Sequence, residues 1–118
     1  MESSDFQKSL SDAVVECMQR KNTTDPNVGL KISAKVGCMQ SLLYYKSIGA
    51  TDVNEALFKA ARYGHVDIVK LCKEYGAVEF EKALEQAELP LKNRYEYVHD
   101  KTYETIHLLR KLKDTQLT

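Results

Sequence analysis

Apolar residues recur along this chain at helical spacing, and the pattern as a whole then repeats. Behind Asp52, the residues Ala56, Leu57, Ala60 and Ala61 fall on one side of a helix, and Tyr63-Gly64 supplies its stop. Val66, Ile68, Val69, Leu71 and Cys72 follow as a second, largely apolar helix that ends at Gly76. The unit's features return 27 residues apart: Gly49-Ala50 as Gly76-Ala77, Ser33-Ala34 as Ala60-Ala61, Gly37 as Gly64, and Leu30 as Leu57 and then Leu84. A fixed period of this size marks stacked supersecondary units and points to a scaffold rather than one catalytic core.

Punctuation residues divide the chain. Residues 4–22 read as a capping helix, with Ser4 and Gln7 as a capping box and Ala13, Val14, Cys17 and Met18 as its apolar face. Asn22 stands one period before Gly49. Residues 23–50 form the first unit, opened by Asp25-Pro26 and built from Leu30, Ser33 and Ala34, then Met39, Leu42, Leu43, Tyr44 and Tyr45. Residues 51–77 form the second unit, with Asp52 as the expected cap and Glu55 in its first turn. Residues 78–113 form the third, with Ala83, Leu84 and Ala87 in register, a helix stop at Pro90 and an insertion at about 89–100. Aligning Leu71-Cys72 with Leu108-Leu109 shifts the offset to 37, about ten residues beyond the period. The expected architecture is all-α within one domain.

Composition adds mostly exclusions. The 118 residues carry 17 basic and 17 acidic side chains, which argues against bulk affinity for nucleic acid. No apolar run reaches the length of a membrane span, and the polar, acidic start is not that of a secretory signal. Cys17, Cys38 and Cys72 form no Cys-x-x-Cys pair and read as reduced, packed thiols in the cytoplasm or nucleus. No nucleophile–base constellation, phosphate-cradling glycine loop or metal-ligand spacing is present, so neither enzyme activity nor a cofactor or metal is expected. His65, after a helix-ending glycine, reads as structural.

The stretch Ala56-Leu57-Phe58-Lys59-Ala60-Ala61-Arg62-Tyr63-Gly64-His65, continued by Val66-Asp67-Ile68-Val69-Lys70-Leu71-Cys72-Lys73-Glu74-Tyr75-Gly76-Ala77, resembles an ankyrin repeat. It departs from that family in its period of 27, with residues missing between Ala77 and Phe80, where ankyrins build a β-turn finger. The resemblance implies a short helix-turn-helix solenoid with little or no β-finger. The wording Leu-Cys-Lys-Glu-Tyr-Gly-Ala, with Gly-Ala-Thr-Asp-Val-Asn-Glu-Ala-Leu, resembles short ankyrin-like repeats of large nucleocytoplasmic DNA viruses such as iridoviruses and marseilleviruses.

The family resemblance implies protein binding through the inner helices, here with a viral factor meeting a host protein and no small-molecule substrate. By register, the exposed inner positions are Phe58, Lys59, Arg62 and Tyr63; Lys31, Ile32, Lys35 and Val36 upstream; and Glu85, Gln86, Leu89 and Pro90 downstream. Tyr95 and Tyr97 in the insertion are further candidates. Charge is zoned: residues 26–50 hold Lys31, Lys35 and Lys46 and no acid, while residues 78–88 hold Glu79, Glu81, Glu85 and Glu88 against Lys82. A basic-to-acidic groove would orient a partner, or dock one copy on the next. Two further possibilities are a self-associating structural or virion assembly protein and a death-domain-type helical bundle acting in assembly.

Overall fold

The computed structural model describes the backbone of residues 2–93, 96, 98 and 101–116, and side chains from residue 8 to residue 115 within that set. Among the described residues there are seven helices and no strand: α1 (Glu2–Arg20), α2 (Pro26–Val36), α3 (Met39–Ser47), α4 (Val53–Arg62), α5 (Val66–Glu74), α6 (Phe80–Lys92) and α7 (Thr102–Gln116). The chain is all-α. Consecutive helices pack in pairs, α2 with α3, α4 with α5 and α6 with α7, while α2, α4 and α6 lie side by side in that order. α1 rests on α2 and α3.

Positions 27 residues apart are buried alike. In α2, α4 and α6 the buried residues that recur in register are Gly29, Leu30 and Ser33; Ala56, Leu57 and Ala60; and Ala83, Leu84 and Ala87. In the second helices they are Ser41, Leu42 and Tyr45; Ile68, Val69 and Cys72; and Thr105, Ile106 and Leu109. The expected core positions Leu57 and Leu84 are both buried, at 0% and 8% exposure. Helical periodicity therefore selects the same face each time, and hydrophobic burial holds each pair on its neighbour.

Local chemistry sets the helix ends. α1 to α5 each close on a left-handed residue: Asn22 (φ 51), Gly37 (φ 89), Gly49, Gly64 and Gly76. The next amide then donates to the carbonyl five residues back, as in Cys38 N to Ser33 O at 2.9 Å and Ala77 N to Cys72 O at 2.9 Å. Gly37 has a second reason to lack a side chain, because a Cβ there would lie 2.6 Å from the His65 ring. At the start of α2, Asp25 Oδ1 accepts from Asn27 N at 2.9 Å with Pro26 in the first turn, as the cap rule predicts.

Four local expectations need correction. Asp52 sits at the α4 cap position but its side chain makes no cap hydrogen bond. The Asn27 side chain reaches across from the preceding unit instead, and its Oδ1 accepts from Thr51 N at 2.7 Å and Asp52 N at 3.0 Å. One period later Asn54 Oδ1 accepts from Val78 N at 3.0 Å and Glu79 N at 3.3 Å. The same residue type thus ties each unit to the next through two backbone amides. Pro90 does not stop α6, which runs on to Lys92. Proline removes one amide from the last turn, and its own complete burial offsets that loss. Ser4 is not the start of α1, which already includes it, and the side chains of Ser4 and Gln7 lie outside the described residues. Ile32, expected on the exposed face, is buried at 8%.

Candidate protein-binding surface

The inner-helix face brings together part of the expected set. Lys31 and Lys35 from α2 and Lys59 from α4 line one cleft of about 600 Å³ with Cys17, Lys21, Thr23, Val28, Ile32 and Val36. Lys35 and Lys59 are exposed and Lys31 is half-buried. Helical spacing explains the floor, since Val28, Ile32 and Val36 lie four residues apart along α2. Lys31 and Lys35 have the same spacing beside them. No acidic side chain lines the cleft among the described residues. Lys21 also lines the cleft and escaped the repeat argument, because its counterparts one and two periods on are Ile48 and Tyr75.

The other expected contact residues are used differently. Arg62 is not a free anchor: its Nη2 donates to both carboxylate oxygens of Glu96 at 2.9 Å, with the two side chains 29% and 22% exposed. The Arg62 charge is thereby engaged by the segment that follows α6. Tyr63 presents its ring to Lys35, whose Nζ lies 5.7 Å from the ring centroid. Phe58 is half-buried against the core. Glu85 is exposed and Gln86 half-buried, and neither lines the cleft. Leu89 is half-buried and Pro90 is buried, so neither offers the open position expected of it. Tyr95 and Tyr97 lie outside the described residues. The continuous basic-to-acidic groove is not formed by one cleft, since none of Glu79, Glu81, Glu85 and Glu88 lines it and Glu79 pairs with Lys82 at 3.4 Å.

A second cleft, of about 640 Å³, lies between α1 and α3 and is lined by Val15, Gln19, Tyr44 and Ile48 among others. One period on, the positions of Gln19 and Ile48 are held by Lys46 and Tyr75. There the Lys46 Nζ sits 5.2 Å from the Tyr75 ring centroid, a contact for which the glutamine–isoleucine pair has no equivalent.

The remaining chemistry is structural. The His65 ring Nε2 lies 2.9 Å from Lys35 O and joins the second unit to the α2 end of the first. Cys38 Sγ accepts from Ser41 N at 3.4 Å and caps α3. Burial pushes the Cys72 thiol up to about 12, which keeps it protonated and a poor nucleophile at neutral pH. Cys17, Cys38 and Cys72 form no disulfide. Among the described residues, no group of three or more His, Cys, Asp or Glu is placed to hold a metal, and no helix is long and apolar enough to cross a membrane.

No family model, curated protein or solved structure matches this chain.

Proposed function

We propose that the chain is a non-catalytic protein-binding module, built as a short ankyrin-like stack of helix pairs with little or no β-finger, and that it serves as a viral factor on a host protein. The observation that carries this reading is the cleft in which α2 and α4 present Lys31, Lys35 and Lys59 over an aliphatic floor. The 27-residue recurrence of buried positions supports stacked repeats over a death-domain-type bundle, which has no reason to repeat. Cysteines that form no disulfide suit the host cytoplasm or nucleus.

Affinity capture from permissive host lysate tests the reading, with wild type beside a Lys31→Glu/Lys59→Glu variant of matching circular dichroism. A protein held by wild type and lost by the variant supports it. Recovery of the bait alone moves the reading to self-association. That second reading has its own observation: Val15 (44% exposed), Tyr44 (56%) and Ile48 (47%) are large, open and share the α1–α3 cleft. A concentration series in analytical ultracentrifugation separates the two.

A further inference from the structure

We infer that the lysine cleft takes an acidic peptide segment that also inserts an apolar side chain. This deepens, and rests on, the reading of the chain as a protein-binding module. The chain as a whole is neutral, yet this one cleft gathers Lys21, Lys31, Lys35 and Lys59 with no carboxylate among its described lining. Lys21, Lys31 and Lys59 have no ion-pair partner among the described residues, whereas Arg20, Arg62, Lys82 and Lys101 each have one. Concentrated positive charge left uncompensated raises the local concentration of an anionic partner and speeds its arrival.

The floor decides what kind of anion fits. Val28, Val36 and Cys17 are half-buried, so each still offers apolar surface that a partner can cover. A purely ionic contact between exposed groups contributes little, so the aliphatic floor must be covered for appreciable affinity. A partner with Asp or Glu flanking a Leu, Ile or Phe meets both demands. A nucleic acid meets only the first: the lining holds no aromatic ring on which a base could stack and no arginine for a bidentate phosphate contact. The chain's own acidic helix is also a poor occupant, because α6 buries Phe80, Ala83, Leu84 and Ala87 and exposes Glu81 and Glu85 without a central apolar anchor.

The test is selection from a phage-displayed random peptide library on the full chain, followed by fluorescence anisotropy of the selected peptides. Each is measured against wild type and against Lys31→Glu/Lys59→Glu, both checked by circular dichroism. The expected peptides are rich in Asp and Glu around an apolar residue. They should bind the variant at least about tenfold more weakly and lose affinity as salt rises. Replacing the apolar residue by Ser should weaken binding by a similar factor. Selected peptides without acidic excess, or with equal affinity for both proteins, overturn the cleft assignment and leave protein binding elsewhere intact. Recovery of no peptide by either folded protein overturns the binding-module reading itself. Tighter binding of a single-stranded oligonucleotide than of any peptide, lost in the variant, overturns the peptide assignment in favour of nucleic acid. Concentration-dependent dimers that the double substitution abolishes would make a second copy the occupant.

Discussion

The pairs α4–α5 and α6–α7 bury equivalent positions with different connections between their helices. In the first, three residues, Tyr63, Gly64 and His65, separate α4 from α5; in the second, α6 runs through Pro90 and a segment of nine residues, 93–101, precedes α7. The buried trio Ile68, Val69 and Cys72 nevertheless reappears as Thr105, Ile106 and Leu109. Register is therefore set by apolar matching between the helices of a pair and their neighbours, and the turn only has to reach. Cys38 caps α3 and His65 reaches Lys35 O, whereas Thr102, their counterpart by register and the first residue of α7, buries a hydroxyl with no hydrogen-bond partner among the described residues.

Substitutions can break or sharpen this contrast. The largest effect belongs to the centre: Leu57→Ala, at 0% exposure, should cost about 2–5 kcal/mol in urea denaturation, and Leu84→Ala in the terminal pair should cost less because fewer neighbours surround the cavity. Equal losses would show that both ends share one cooperative core rather than neighbour-by-neighbour packing.

Next comes the way each pair fits at its crossing. Position 29 is glycine because a Cβ there would lie 2.6 Å from the Tyr45 ring, whereas the following pair places Ala56 with Cys72 at the same register. Gly29→Ala should therefore cost about 1–3 kcal/mol despite alanine's better helix propensity. Combining it with Tyr45→Cys should give a total loss smaller than the sum of the two, read from a double-mutant cycle. Strict additivity would separate the glycine from the tyrosine.

The inter-unit asparagines should matter less. Asn54→Ala leaves the Val78 and Glu79 amides to water and should cost about 1 kcal/mol, as should Asn27→Ala. Glu81→Ala, one period further on, should be close to neutral. A neutral Asn54→Ala in chemical denaturation would remove this tie between units from the stability argument. The smallest change is a gain: Thr102→Val removes an orphan buried hydroxyl at nearly constant volume and should raise stability by up to about 1 kcal/mol. A loss in the thermal midpoint would mean that the hydroxyl has a partner.

Much of this was legible in the residues. The left-handed helix ends at Asn22, Gly37, Gly49, Gly64 and Gly76, the Asp25 cap and the buried Leu30, Leu57 and Leu84 follow from spacing alone. Reading failed where a local rule met tertiary contact. Asp52 has the right chemistry for a cap but makes no cap bond, and the side chain that holds the amides of Thr51 and Asp52 is Asn27, from 24 and 25 residues upstream. Pro90 carries a stop signal that burial overrides. Arg62 looked like an interface anchor until Glu96 was placed beside it.

For the candidate site, the sequence picked out Lys31, Lys35 and Lys59 because repeat register assigns a face. It did not pick out Cys17, on α1, or Lys21, in the turn that follows it, both outside any inner helix. The period, most helix ends and the buried face follow from residue type and spacing, so the chain by itself determined them, whereas the run of α6 through Pro90 rests on tertiary burial. Which polar groups meet, which lysines share a cleft and which arginine is neutralised depend on how the helices stack. Those contacts join residues 24 to 34 positions apart, and only the tertiary structure decided them.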